Sequence, residues 1–304
     1  MANMGESMKK LATIHRSTDK HWVGDGFPVR TVFSYHSQGM NVSPFLLMDY
    51  AGPVEFPPAT KPRGVGWHPH RGFETVTIVY QGEVEHRDTT GNGGKIGPGD
   101  VQWMTAAGGL LHEEMHSQEF TKKGGIFEVI QLWVNLPSQD KLSPPHYQAI
   151  TDTQIPSVAL NSDGSFARVI SGELRGVHGP AATFTPVNLW DLRLRAGNKI
   201  ELNIPEGFTT LLFVLKGLVQ VNGAEEVAAT ELASFDRLDD LSGSLISLYS
   251  KQESTVLVMS GQPIDEPIAG YGPFVMNTEE EIRQAMKDFD SGRMAEMIAA
   301  VEAN

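Results

Sequence analysis

Two short stretches carry the residues with chemistry to offer: Trp67-His68-Pro69-His70-Arg71-Gly72-Phe73-Glu74 and, further along, His112-Glu113-Glu114. Each holds two metal-capable side chains at spacing i, i+2. On an extended strand alternate residues share a face, roughly 6–7 Å apart along the backbone. His68 and His70 therefore project together, as do His112 and Glu114, while Glu113 faces the other way and is expected to stay unligated. Placed on opposite walls of a small barrel, the two strands bring three imidazoles and one carboxylate to one point. A nitrogen and oxygen set of this kind suits Fe(II), Mn(II), Co(II), Ni(II), Cu(II) or Zn(II). The chain has no cysteine, so thiolate ligation is excluded.

The remaining histidines show weaker patterns. His86 shares strand parity with Val84 and Asp88, and His116 with Glu114; either can line a pocket, but the reading turns both toward solvent. His15, His21, His36, His146 and His178 are unpaired and are read as structural or surface residues.

These side chains need strands to position them, and the sequence supplies them. Residues 1 to about 20 are polar and read as frayed at the start. Val29–Tyr35 and Phe45–Asp49 read as strands around the turn Asn41-Val42-Ser43-Pro44, and proline-rich residues 52–62 as a loop leading to His68. Thr75–Tyr80 is rich in β-branched residues and fits a pleated, buried strand. Gly82 marks a turn, the glycine-rich run Thr89–Gly99 a loop or hairpin connection, Val101–Met104 and Phe127–Leu136 further strands. Pro137–Pro145 reads as the way out of a first domain.

The second half repeats this plan. With Gly82 set on Gly217 and no gap, Gly72-Phe73 meets Gly207-Phe208 and Val76–Tyr80 meets Leu211–Leu215, while His68, His70 and Glu74 become Asn203, Pro205 and Thr209. No histidine occurs after His178. The pattern is that of a duplicated barrel with one live site. The tail departs from it: Asn277-Thr278 before Glu279-Glu280-Glu281 is a helix start, Ile282, Met286 and Phe289 follow at helical spacing, and Ser291-Gly292 ends that helix. A second short helix is expected from about Met294 to Ala300, both serving as packing elements.

At 304 residues the chain exceeds one core of usual size, and residues 1–145 and 146–304 are read as two domains, the terminal helices included in the second. No apolar run has the length of a signal peptide or a membrane span, which reads as a cytoplasmic protein. The formal net charge of −13 opposes direct nucleic-acid binding, which needs a basic face.

The assembled segments resemble the pirin family, a branch of the cupin superfamily. Gly66–Val76, Pro98–Ala106, Leu111–Met115, Gln131–Leu136 and Gly272–Thr278 carry the likeness, which runs from about Gly24 to the terminal helix. It implies an all-β fold of two tandem jelly-roll-like β-barrels (a bicupin) with a short C-terminal helical segment, and one divalent metal, Fe(II) foremost, in the first barrel only. By position the ligands are His68, His70, His112 and Glu114. The general cupin pattern places a glutamate soon after the histidine pair, here Glu74. With Glu114 at i+2 from His112, Glu74 takes a supporting place, and Arg71 is a candidate to hold a carboxylate. Two activities come with the family: a quercetin 2,3-dioxygenase, opening a flavonol's heterocycle with O2 and releasing CO, and a metal- or redox-gated cofactor of transcription acting through protein partners. For the first, Glu114 is the candidate general base if it can swing off the metal or share its proton. The enzyme is preferred, because nothing in the sequence marks a nuclear protein.

Overall fold

The computed structural model describes residues 7–18, 20–36, 42–237 and 243–296. The chain opens with β1 (Leu11–Arg16), β2 (Lys20–Val23), β3 (Phe27–Ser34) and β4 (Phe45–Phe56). The chemistry-bearing segment follows as β5 (Gly64–His70), β6 (Phe73–Gln81), β7 (Val84–Asp88), β8 (Gly93–Ile96), β9 (Val101–Thr105), β10 (Leu110–His116), helix α1 (Gln118–Lys123), β11 (Gly125–Asn135) and β12 (His146–Ile150). Next come β13 (Ser157–Ala159), β14 (Phe166–Ser171), β15 (Glu173–Leu174), β16 (Val177–His178), β17 (Val187–Leu194), β18 (Lys199–Asn203) and β19 (Thr209–Lys216). They are followed by β20 (Leu218–Val221), β21 (Glu225–Ala228), β22 (Glu231–Phe235), β23 (Leu245–Ser250) and β24 (Ser254–Gly261). The hairpin β25 (Ala269–Tyr271) and β26 (Phe274–Met276) precedes helices α2 (Glu279–Asp290) and α3 (Arg293–Glu296).

The strands form two units of the same design. One has a seven-stranded sheet in the order β12-β9-β6-β11-β4-β3-β2 and a four-stranded sheet β5-β10-β7-β8. The other has β1-β22-β19-β24-β17-β14-β13 and β18-β23-β20-β21. The orders correspond strand for strand, and the gap-free alignment lays β6 on β19 as the sequence repeat requires. This is the expected all-β architecture of two cupin barrels. In each, both sheets feed one apolar core: Val29, Ala51, Val79, Val84, Ile96, Phe127 and Val129 in the first, and Trp190, Leu202, Leu212, Val219, Ile246 and Val258 in the second.

Residues Phe73 to Val79 of β6 are buried without interruption, because the strand lies inside the seven-stranded sheet with neighbours on both edges. A continuous β-branched and aromatic run is what such a site demands. Its polar members, Glu74, Thr75 and Thr77, are enclosed with it.

Three features depart from the sequence reading. The polar N-terminal stretch holds a strand that the sequence reading did not place: β1 pairs with β22, His15 opposite Leu232, and occupies in the second barrel the edge that β12 fills in the first. The compact units are also interleaved rather than cut at 145/146. One comprises Thr18–Ser34, Phe45–Asp152 and the chain from Ile264 onward; the other the chain up to Ser17, Tyr35–Pro44 and Thr153–Pro263. Hence β12, which pairs with β9, and the terminal helices belong with the first barrel. The third concerns β4, which continues through the proline-rich stretch to Phe56, with Pro53 following a cis peptide bond. Helix α2 begins as expected, with Thr278 and Glu281 in a reciprocal capping box. The expected second helix begins as α3, and its residues beyond Glu296 lie outside the described ones.

Candidate metal centre

The two histidine-bearing strands are neighbours, not opposite walls. β5 and β10 pair antiparallel with His112 directly across from His68 and Leu110 across from His70. Directly opposed side chains sit about 4.5–5.5 Å apart at Cβ, so pairing itself brings the rings together. The ring centroids lie 4.2 Å apart for His68 and His112, and 4.9 Å apart for both His70–His112 and His68–His70. One nitrogen from each ring lies within 4.8 Å of the other two.

Hydrogen bonds decide which nitrogens are available. His68 Nδ1 lies 2.8 Å from the Gly66 carbonyl and His70 Nδ1 3.4 Å from the Pro273 carbonyl. A carbonyl only accepts, so both Nδ1 atoms carry the proton and both Nε2 lone pairs stay bare. His112 Nδ1 is engaged by His86 Nδ1 at 3.3 Å, and His112 Nε2 is a buried nitrogen without a hydrogen-bond partner. An orphaned, desolvated lone pair in a cluster of imidazoles is costly unless something electrophilic fills the gap. Burial, with the neighbouring His68 opposing a second charge, pushes His70 down to about 3, and the Pro273 contact only partly offsets it. Burial and the surrounding His70, His68 and His86 hold His112 well below the ordinary range as well. His70 and His112 are therefore neutral imidazoles, the form that ligates metals. These residues fit a divalent cation.

Glu114 lies beside rather than within this trio. The β5–β10 register shifts between His112 and Glu114, so that Glu114 opposes Val65. Its Oε1 accepts hydrogen bonds from Thr77 Oγ1 and Gln102 Nε2, each at 3.1 Å. A carboxylate oxygen of Glu114 does come within 4.8 Å of ring nitrogens of His86 and His112. That second cluster is closed by bonds among its own members and their neighbours, whereas the His68–His70–His112 set is open. Glu114 also faces a cavity of about 200 Å³ that His68 and His70 line, walled by Phe27, Val29, Val65 and Trp133 with Asp49 and Gln131 as polar members. Asp49 accepts from Thr31 Oγ1 at 2.6 Å, and its burial raises its carboxyl despite that bond.

The other expected residues take definite places. Glu74 is buried on β6, where Thr105 Oγ1 donates to it at 2.7 Å; burial pushes it up to about 7 against that bond. Arg71 does hold a carboxylate, that of Asp288 in α2 at 2.9 Å, and donates through Nε to the Gly108 carbonyl at 2.8 Å. Glu113 pairs with Arg87. His86 and His116 contradict the solvent-facing reading, for both are buried. His116 sits among the rings of Phe27, Phe56, Phe120 and Phe127 and bonds the Gly26 carbonyl through Nε2 at 2.8 Å. His86 is enclosed because β7 is the other neighbour of β10, setting it opposite Glu114 and Asp88 opposite His112.

The sequence reading passed over Asp88, Gln102, Thr77 and Tyr147 in this network. A signal for the first existed: His86-Arg87-Asp88 repeats the i, i+2 spacing of the two candidate ligand pairs on a third strand. Gln102 lies in the Pro98–Ala106 segment, where nothing local marks it as a network member, and Thr77 and Tyr147 carry no motif; all three are brought in by cross-strand register. In the second barrel the positions aligned with His68 and His70 hold Asn203 and Pro205, and no metal-capable group of three occurs there among the described residues.

Comparison with known proteins agrees with this architecture. The family profile described as Pirin matches residues 26–134, and that of the Pirin C-terminal cupin domain matches residues 189–295. The chain is 55% identical to "Putative quercetin 2,3-dioxygenase PA2418" of Pseudomonas aeruginosa, over 94% of this chain and 98% of that one. It is 37% identical to the human protein named Pirin, covering 83% of each. It superposes on a crystal structure of quercetin 2,3-dioxygenase from Acinetobacter baumannii with a TM-score of 0.91 and 52% identity, covering 95% of this chain and 99% of that one.

Proposed function

The chain belongs to the pirin family, and from that membership we propose that it is a metal-dependent dioxygenase of the quercetin 2,3-dioxygenase type, acting on a flavonol-like aromatic with O2 and releasing CO. The single observation that carries the reading is three imidazoles whose nitrogens lie within 4.8 Å of one another, two of which, His68 and His70, line a cavity walled by Phe27 and Trp133. In this reading His68, His70 and His112 hold one divalent ion, Fe(II) foremost, with Glu114 as the carboxylate that completes the set. When bound, the ion supplies Lewis acidity that lowers the pKa of a flavonol 3-hydroxyl.

The chain's own residues do the rest. Both hydrogen bonds to Glu114 fall on Oε1, which fixes the carboxylate while leaving Oε2 to take the hydroxyl proton as general base. Trp133, Phe27, Val29 and Val65 offer flat and branched apolar surface that orients a planar ring system and excludes water. Pockets for small molecules run to about 300–1,000 Å³; at about 200 Å³ this one encloses part of a flavonol, the remainder reaching through the mouth.

The test is turnover. Metal-loaded protein, with Fe, Mn, Co, Ni and Cu tried in turn, is expected to bleach quercetin with matching uptake of O2 and release of CO. The controls are apo-protein and free metal, because flavonols autoxidise. Rates no better than those controls for every metal would overturn the dioxygenase and favour a metal-gated binding protein, recognised by a partner whose affinity changes with metal or its oxidation state.

A further inference from the structure

Of the three imidazoles in the open set, two have their tautomer fixed by backbone carbonyls, Gly66 for His68 and Pro273 for His70. His112 alone leans on a side chain that can itself donate or accept. The nitrogen it leaves bare is therefore decided one residue further out.

The outward chain is short and buried. His112 Nδ1 lies 3.3 Å from His86 Nδ1, and His86 Nε2 lies 3.2 Å from Asp88 Oδ2. The side chains of His86 and Asp88 are almost wholly enclosed, at 0% and 1% exposure. The carboxylate can only accept, so His86 carries a proton on Nε2; the Gln102 amide nitrogen, 3.5 Å from Nδ1, meets an acceptor only if that nitrogen is bare. That Nδ1 then accepts from His112 Nδ1–H, and His112 Nε2 is left without a proton. Gln102 agrees with this polarity: Tyr147 donates to its Oε1 at 3.1 Å, which turns its amide nitrogen toward His86 Nδ1 (3.5 Å) and Glu114 (3.1 Å). The His86 ring also stacks on Tyr147, centroids 4.8 Å apart and planes 4° from parallel.

Asp88 cannot rotate freely. Its other oxygen, Oδ1, receives the backbone N–H of Thr90 at 2.8 Å, Thr90 Oγ1 at 2.6 Å and the backbone N–H of Asn92 at 3.2 Å. We propose that Asp88 and His86 are positioning residues that hold His112 as the Nδ1–H tautomer, so that its Nε2 faces the open imidazole set as a ligand. The proposal rests on the metal-centre reading above, and a partner that fixes a ligand's tautomer typically matters by about 10–100-fold in metal affinity.

Asp88→Asn is the sharpest test. The two backbone donors keep the amide oxygen at the Oδ1 position, which puts the NH2 group against His86 Nε2. His86 must then move its proton to Nδ1 and donate to His112, whose proton is driven onto Nε2, where it blocks ligation. Long-range proton–nitrogen NMR of the apo full chain is expected to show His112 as Nδ1–H in the wild type and Nε2–H in Asp88→Asn. Chelator competition with Fe(II) or Co(II) is expected to show roughly 10–100-fold weaker metal binding for Asp88→Asn, with the near-UV circular dichroism unchanged. His86→Gln, which offers an acceptor and a donor in one amide, is expected to stay within a few-fold of wild type, and His86→Phe to fall with Asp88→Asn. A merely structural ring would give the reverse order for these two. The proposal is overturned by Nε2–H at His112 in the wild type, by an unshifted tautomer in Asp88→Asn, or by His86→Phe binding metal as tightly as His86→Gln. A wild-type chain that takes up no metal counts against the metal centre itself, and the tautomer spectra alone then decide this proposal.

Discussion

At the scale of single residues, His70 and His112 are bases kept uncharged by burial, and that has a pH signature. His70 and His112 have folded pKa values below the ordinary 6.5, so the unfolded chain binds their protons more readily. Their contribution to apo-protein stability is full above pH 6.5 and is lost as pH falls. Glu74 works in the opposite sense, raised from 4.5 to about 7, so the folded chain takes its proton first. Between pH 4.5 and 6.5 His70 and Glu74 offset each other, and the depressed His112 leaves the unfolded chain binding more protons, so the site's share of stability falls on acidification. Urea midpoints of the apo-protein at pH 5.0–6.5 check this, with His70→Gln expected to flatten the slope by about one proton's worth. Ligand identity is tested alongside: His70→Ala and His112→Ala are expected to lose most bound metal by elemental analysis, and Glu113→Ala almost none, since Glu113 pairs with Arg87 outside both clusters. Glu114→Gln is expected to cost more activity than metal, because three imidazoles remain while the base is gone.

At the scale of elements, the tail helps to build the site. Pro273, which bonds His70, lies between β25 and β26. Two anchors hold this segment to the barrel: the buried Arg71–Asp288 pair, and Lys141, whose Nζ donates to the carbonyls of Gly72 and Val275 at 2.8 and 3.0 Å and to Asn135 Oδ1 at 2.7 Å. Asp288→Ala would strand the Arg71 guanidinium with one carbonyl. It is expected to cost about 3 kcal/mol, seen as a lower urea midpoint, and to weaken metal binding through His70. Strand β1 makes a separate case. Removing residues up to Ser17 uncovers the outer edge of β22, whose neighbour on one side is β1. Hydrogen exchange of Glu231–Phe235 is expected to quicken in that truncation while the β5–β10 strands keep their protection.

At the scale of the whole molecule, two units of one strand order differ in what they can ligate. The full chain is expected to bind one metal ion, and the triple variant His68→Ala, His70→Ala, His112→Ala to bind none by mass spectrometry of the native protein. A stoichiometric ion surviving in that variant would place a second site in the other barrel. The interleaving of the units makes a simple cut near residue 145 the wrong way to separate them. Among the described residues no helix is long and apolar enough to cross a membrane.

The strands, the duplication and the three histidines were legible in the linear chain because a strand's period of two converts spacing directly into a shared face, and a gap-free repeat keeps that face in both halves. Thr278 and Glu281 likewise announced their helix, since a capping box is local chemistry. Contacts decided by strand order were not legible. His68 and His112 meet because β5 and β10 are paired, and His86 is buried because β7 is the next neighbour, facts carried by cross-strand hydrogen bonds rather than by any residue's own type. Arg71 displayed a charge seeking a partner, yet only tertiary packing could bring Asp288 of the terminal helix to it. The N-terminal strand went unread because an edge strand has one half-buried face and little apolar pattern. Its place beside β22 is fixed by an open sheet edge far away in sequence, and no local signal can report that.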